Sequence, residues 1–192
     1  TPIPVPPAPA ASANETKVKE PTPEEKAKAE AAALLEKDRK KLQVEQEAEL
    51  ARWTPELRTA AKALLEKKFK NGHEAMLAVV ASKHRRPASF ERDHDRHPVE
   101  TFDFYGLQPK MTVLEFAPGE AWFTELLAPA LAKQGKLFAT TTNPNGPKDD
   151  RMTFYAERFK MFLDRAPEAY GKVEPVVITP AAPKLPMEGT LD

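Results

Sequence analysis

The chain has 192 residues, enough for one domain of ordinary size, and its 29 basic residues balance 29 acidic ones. This balance disfavours recruitment of nucleic acid or of an anionic membrane by a summed positive field. No apolar run approaches the roughly 20 residues that span a bilayer, so a soluble chain without a membrane span is predicted. Because cysteine is absent, disulfides, thiolate nucleophiles and cysteine-ligated metals are excluded.

Residues 1–21 are predicted to form a disordered tail rich in proline and alanine. Seven of the 20 prolines fall within residues 1–23, and the residues between them offer too little apolar surface to offset the entropy of ordering. The first residue is Thr1 rather than methionine, which would suit a protein whose export signal has been removed, although a truncated start explains it equally well. An exported or periplasmic location is therefore slightly favoured over a cytoplasmic one.

Residues 22–52 are predicted to form a long charged helix. Thr22 provides an N-cap, Pro23 takes the first helical position, and two acidic residues follow in the first turn. Most apolar residues in this run are alanine, which indicates a largely solvated helix. A coiled-coil or partner-binding role is the alternative, but Leu35 and Leu42 provide a single clean heptad step where sustained repeats are required.

Residues 53–107 are expected to form a helical cap. Thr54-Pro55-Glu56 repeats the helix-start signal, and the amphipathic face that follows is predicted to end at Asn71-Gly72. A third helix should run through Met76 and Val80.

Residues 92–98 gather ionisable groups ahead of a short helix. One hypothesis places Arg96 or His97 at the mouth of a ligand crevice, where either could anchor an acidic substrate or act as a base. The other is a helix-start loop in which Asp95 caps the helix and the arginines form local ion pairs. Farther along, Tyr105 could wall an acceptor pocket or pack in the core.

A metal site in this run is disfavoured. His94 and His97 are three residues apart, a spacing that can share one helix face. Pro98 instead puts both histidines in the turn before the helix, so no metal is predicted.

Residues 111–141 have the pattern of a β-turn-α-β unit. An apolar run of strand length ends at Glu115, a Pro118-Gly119 turn follows, and a helix-period pattern leads into a second short strand. Such a unit points the first helical turn out of the carboxyl end of a parallel sheet, where nucleotides and nucleoside-like cofactors bind. Glu115 could accept hydrogen bonds from a ligand or tie down the loop, and Gly119 permits close approach or a positive φ.

At these residues the sequence resembles the class I S-adenosylmethionine-dependent methyltransferases, whose first motif is an acidic residue followed by spaced glycines. It is more similar still to a group of predicted bacterial methyltransferases in which a phrase like Arg96-His-Pro-Val-Glu100 precedes Phe-Tyr-Gly-Leu107, a strand, Pro-Gly and Leu-Ala-Pro. The resemblance covers residues 84–180, approximately. Glu115, Pro118 and Gly119 match the motif.

The sequence departs from this pattern at two places. Ala117 and Ala121 stand where glycines are usual. The acid that would grip the ribose hydroxyls is replaced by the turn Thr141-Thr142-Asn143. A dinucleotide-binding Rossmann site is disfavoured further, since both its G-x-G-x-x-G pattern and its distal ribose acid are absent.

The resemblance implies an α/β, Rossmann-like methyltransferase fold with parallel strands in the order 3-2-1, the third at residues 174–178. A fourth strand would normally lie beside the first, so residues 108–192 are expected to be an incomplete domain, a half-domain completed by another part of the same fold or by a partner.

The implied function is methyl transfer from the cofactor S-adenosylmethionine to an unidentified acceptor. The alternative is a non-catalytic interaction protein that binds through helix 24–51. Positioning groups in this fold commonly follow the fourth strand, so no catalytic residue is assigned. The predicted cofactor-side residues are Glu115, Ala117, Pro118, Gly119, Glu120, Ala121, Trp122, Thr141 and Asn143, and the substrate-side candidates are Arg96, His97 and Tyr105.

Overall fold

The computed structural model describes residues 20–179, 181, 185 and 191–192. The tail predicted for residues 1–21 therefore lies almost entirely outside the described residues. In chain order the elements are α1 (Pro23–Arg52), α2 (Pro55–Glu66), α3 (Gly72–Val80), α4 (Pro87–Glu91), α5 (Asp93–Arg96), α6 (Pro98–Phe104), β1 (Thr112–Glu115), α7 (Trp122–Leu131), β2 (Lys136–Thr141), α8 (Arg151–Asp164), α9 (Pro167–Tyr170) and β3 (Val173–Val177).

The longer helices begin where capping signals stand in the sequence. The Thr22 hydroxyl accepts a hydrogen bond from the Glu25 amide at 3.2 Å, and the Glu25 carboxylate accepts one from the Thr22 amide at 2.7 Å. This reciprocal pair is a capping box at the start of α1. Thr54 and Asp150 cap α2 and α8 without this reciprocal bond, each by accepting one amide hydrogen bond.

The predicted end of the second helix at Asn71-Gly72 is wrong. Helix α2 ends at Glu66, and Asn71 is the N-cap of α3, where its side chain accepts from the Glu74 amide at 2.9 Å. Gly72 is needed for close packing, because a Cβ there would lie 1.9 Å from the Leu107 carbonyl oxygen. The dipeptide therefore starts a helix instead of ending one.

The three strands form a parallel sheet in the order β1-β2-β3, the predicted 3-2-1 order read from the other edge. In this register Leu114 of β1 lies opposite Phe138 of β2, and Thr140 of β2 lies opposite Val176 of β3. Helix α7 connects β1 to β2, and α8 lies between β2 and β3 in the chain. The chain thus has a partial α/β fold whose strand carboxyl ends share one edge.

The N-terminal helices share one core with the α/β unit. Met76 and Val79 of α3 are fully buried in the same cluster as Leu126 and Leu131 of α7. Helix α1 is different, since most of its residues are exposed, as predicted, and its buried leucines form a small separate cluster with Phe154 of α8. Within the described ranges, no helix has the length and apolar character needed to cross a membrane.

A buried histidine compensates for the proline inside α7. Pro129 has no N–H to offer the Glu125 carbonyl one turn earlier, and His84 Nε2 lies 2.8 Å from that oxygen. The Ser82 hydroxyl lies 2.9 Å from His84 Nδ1 and can donate to it. Burial lowers the pKa of His84 to about 4, so the ring is neutral and donates through Nε2. This bond anchors α7 to the segment after α3.

Candidate functional site

The carboxyl ends of the three strands open into a crevice of about 750 Å³. The loop after β1 borders it on one side and α8 on the other, with the end of β2 between them. The lining residues are Phe116, Ala117, Pro118, Gly119, Glu120, Thr140, Thr141, Thr142, Met152, Tyr155, Ala156, Arg158, Phe159 and Ile178.

Along the loop between β1 and α7, residues with positive φ alternate with residues without it. Ala117, Gly119 and Ala121 have φ values of 52°, 58° and 62°, whereas residues 118 and 120 do not have positive φ. Alternation of this kind turns successive amide groups toward one concavity, the arrangement found in anion-binding nests. For the two alanines the left-handed conformation costs roughly 1–2 kcal/mol each.

Neighbouring groups fix this loop in place. The Ala117 amide donates to the Thr140 hydroxyl at 2.8 Å, and the Ala121 amide donates to the Pro118 carbonyl at 2.7 Å. From α8, Arg158 Nη2 donates to the Gly119 carbonyl at 3.0 Å. The loop is therefore held at both ends and in the middle.

Glu115 ties β1 to the first turn of α7 and does not line the crevice. Its Oε2 accepts from the Thr124 hydroxyl at 2.6 Å, while its buried Oε1 has no hydrogen-bond partner among the described residues. Burial raises the pKa of Glu115 to about 7, against the lowering effect of the hydrogen bonds from Thr124. Of the two roles considered for this carboxylate, the observed contacts are those of holding the loop.

Trp122 also lies away from the crevice. Its indole Nε1 donates to the Ser89 carbonyl at 3.1 Å, and the side chain is buried. The Arg96 guanidinium carbon lies 4.7 Å from the Trp122 ring centroid, which is cation–π distance. Arg96 and Trp122 are thus brought together by packing, outside the crevice lining.

The end of β2 and the turn after it contribute partly to the crevice and partly to local structure. Thr141 and Thr142 line the crevice, and the Thr142 hydroxyl donates to the Met152 carbonyl at 2.8 Å. Asn143 does not line it, because its Oδ1 accepts from the Asn145 amide at 2.9 Å in a local turn.

His97 and Tyr105, the other substrate-side candidates, lie outside the crevice lining. His97 has a φ of 41° and separates α5 from α6, and Tyr105 is exposed at the end of α6. The hypothesis that Asp95 caps the helix is wrong, since the N-cap of α6 is His97, no side chain caps this helix, and Asp95 is exposed beside His94. Among the residues that the structure describes, no group of three or more potential metal ligands is found.

Sequence reasoning missed the contribution of α8 to the crevice. Met152, Tyr155 and Phe159 recur at the helical period of α8, and all three line the crevice, as does Arg158. The available signal was topological. A helix that follows the second strand of a parallel sheet begins at the carboxyl edge, so its first two turns face any ligand bound there.

Comparison with known proteins finds no family model, curated protein or solved structure that matches the chain. Function must therefore be inferred from the crevice. Its loop can receive an anionic group, and its aromatic and thioether side chains can contact a flat apolar ring.

Proposed function

We propose that this chain carries the cofactor-loop half of an S-adenosylmethionine-dependent methyltransferase whose acceptor is unidentified. The observation that carries the proposal is a crevice at the carboxyl ends of parallel strands, bordered by a loop in which every second residue has a positive φ. Open α/β sheets bind their ligands at that edge.

The residues present fit this cofactor in size and chemistry. The crevice volume of about 750 Å³ falls within the range of small-molecule sites. Loop amides at Gly119 and Glu120 would hold the carboxylate of the amino-acid part, and Phe116 and Tyr155 would contact the purine. Thr141 offers a hydroxyl for the ribose in place of the usual acid. When bound, the sulfonium group would supply an electrophilic methyl group to a nucleophilic acceptor.

We further propose that the outer edge of β1 pairs with another strand, from the same fold or from a partner. β1 is an edge strand among the described residues. At its start the Asp192 amide donates to the Thr112 carbonyl at 3.1 Å, and the Thr112 amide donates to Asp192 Oδ2 at 2.8 Å. A parallel strand continuing along this edge would end beside the loop after β1 and add a wall to the crevice.

The second candidate is a non-catalytic interaction protein that uses α1. In its favour, α1 has 30 residues, of which three are buried, and Leu34, Val44 and Leu50 are exposed along it. Against it, the Leu35–Leu42 edge already packs on α8 within the chain.

Titration of the full-length protein with S-adenosylhomocysteine, followed by calorimetry, separates the two candidates. Saturation at low micromolar ligand supports the methyltransferase, and the absence of heat at millimolar ligand supports the interaction protein. Tyr155→Ala should weaken binding about tenfold, because loss of one aromatic contact removes roughly 1–2 kcal/mol. Phe104→Ala removes an exposed aromatic side chain outside the crevice and should leave the affinity unchanged. Equal affinities for the Tyr155 variant and the wild type would refute the crevice assignment.

A further inference from the structure

A second cavity, of about 470 Å³, lies between α1 and α8 beside the loop that borders the crevice. Helix α1 contributes Glu45, Gln46 and Glu49 to its lining, and α8 contributes Arg158 and Phe162. Arg165, directly after α8, completes that side.

Arg165 is buried with two of its three guanidinium nitrogens lacking a hydrogen-bond partner among the described residues. The residue is 8% exposed, and its Nε and Nη2 atoms have no hydrogen-bond partner among the described residues. The nearest carboxylate oxygen, Glu49 Oε2, lies 3.8 Å from Nη2, beyond hydrogen-bonding distance. Burial lowers the pKa of Arg165 from its ordinary value, which reflects the cost of removing this charge from water. A charge in this position is normally paired.

The neighbouring carboxylates are already held by other arginines. Glu49 accepts hydrogen bonds from Arg52 at 2.9–3.2 Å, and Glu125 Oε1 accepts from Arg86 Nε at 2.6 Å. The three guanidinium groups of Arg52, Arg86 and Arg165 therefore face two carboxylates. Of the three, Arg165 is the one without a carboxylate oxygen at hydrogen-bonding distance, and it keeps only the 3.8 Å approach to Glu49 and a cation–π contact with the Phe162 ring at 4.6 Å.

A second guanidinium adds to the positive field of the cavity. Arg158 precedes Arg165 by seven residues, about two helical turns, and so lies on the same face. Its Nε is buried without a hydrogen-bond partner in the described part of the chain, and its nearest carboxylate, Glu120, is 3.9 Å from Nη1. On α1, Lys41 and Glu45 form an ion pair at 3.5 Å and add no net charge.

We propose that this cavity is an oxyanion-binding site, in which Arg165 donates to the phosphate or carboxylate group of a small ligand and Arg158 adds positive potential. The planar N–H fork of arginine matches both groups and binds them in a bidentate manner. A volume of about 470 Å³ accommodates a small molecule that carries such a group. The cavity shares Gly119 and Arg158 with the lining of the proposed cofactor crevice, but Arg165 belongs to the cavity alone, and the site requires no cofactor.

Thermal unfolding of the full-length protein tests the site with inorganic phosphate and, in a second arm, acetate. Ionic strength is held constant with sodium chloride. The unfolding midpoint should rise by a few degrees and saturate with one of the two anions, since a ligand that binds the folded state stabilises it by mass action. A larger response to phosphate identifies a phosphorylated ligand, and a larger response to acetate identifies a carboxylate.

Variants at one position decide the outcome. Arg165→Gln should abolish the response, whereas Lys160→Gln, which removes the same charge from an exposed position of α8 outside the cavity, should retain it. If the Gln variant does not fold, Arg165→Lys is used instead. Lysine keeps the charge but lacks the planar pair of N–H donors, so it should raise the anion concentration at half-saturation about fivefold or more. The proposal is overturned if neither anion stabilises the wild type more than chloride does. It is also overturned if the Arg165 variant that folds responds as strongly as the wild type. These results do not depend on S-adenosylhomocysteine, so they are independent of the methyltransferase test.

Discussion

Replacement of Glu115 by glutamine should stabilise the protein at alkaline pH. The carboxyl group is buried, one of its oxygens accepts from the Thr124 hydroxyl, and the other has no partner among the described residues. Glutamine preserves the side-chain shape and the acceptor for Thr124. It removes the negative charge that burial disfavours.

The size and the pH window of this effect follow from the raised pKa. Burial moves the pKa of Glu115 from 4.5 to about 7, a difference equivalent to about 3 kcal/mol. Between these values the folded state keeps the proton and the unfolded state releases it, so stability falls as the pH rises. Above pH 7 the full cost is present, and below pH 4.5 it disappears. Glu115→Gln should therefore exceed the wild type by about 3 kcal/mol at pH 8 and by almost nothing at pH 4.

Urea unfolding of the two proteins at several pH values measures this difference in the free energy of unfolding. Glu174→Gln, an exposed carboxylate in β3, is the control for introducing an amide and should change stability by less than about 0.5 kcal/mol. A difference between Glu115→Gln and the wild type that stays constant from pH 4 to 8 would refute the reasoning. A glutamine variant less stable than the wild type at pH 8 would do the same.

Two further predictions concern α7. Ala121→Gly should raise the free energy of unfolding by up to about 1 kcal/mol, because relief of the left-handed alanine outweighs the entropy of glycine. Ala132→Gly, at a position with right-handed backbone conformation, should lower the free energy of unfolding by about 1 kcal/mol. If thermal unfolding finds Ala132→Gly more stable than Ala121→Gly, Ala121 is not strained. His84→Leu should cost about 1–3 kcal/mol, since it leaves the Glu125 carbonyl without a donor, and Pro129→Ala should restore most of that loss by supplying an N–H. Additive effects in this double-mutant cycle would rule out the compensation.

The helix starts and the strand order could be predicted because they depend on local chemistry and on topology rules. Thr22 and Thr54 each cap the helix that their side chains indicate. Asn71-Gly72 was misassigned because both residues are common at helix ends as well as starts. What decides between the two is the approach of the Leu107 carbonyl to Gly72, a contact between residues 35 positions apart.

The second cavity could not be predicted, since charged residues ordinarily indicate a solvated surface. Arg165, at the end of α8, is buried beside Glu49 of α1 and the Phe162 ring, and sequence periodicity does not show which side of a charged helix another helix covers. The same holds for Tyr155, whose position in the crevice depends on the direction in which α8 leaves the sheet. Tertiary placement, rather than residue type, makes both side chains candidates for binding.

The two alanines in the loop after β1 carry a functional implication that glycines would not. A glycine takes a positive φ at no steric cost, so its conformation says little about what holds the loop. Ala117 and Ala121 keep the left-handed conformation at roughly 1–2 kcal/mol each, which requires that their surroundings determine the loop more strongly than their own preference does. Thr140 of β2 and Arg158 of α8 hold the loop in this conformation by hydrogen bonds to its backbone. Such strain is concentrated at binding sites, and here it borders the crevice where the sheet exposes its strand ends.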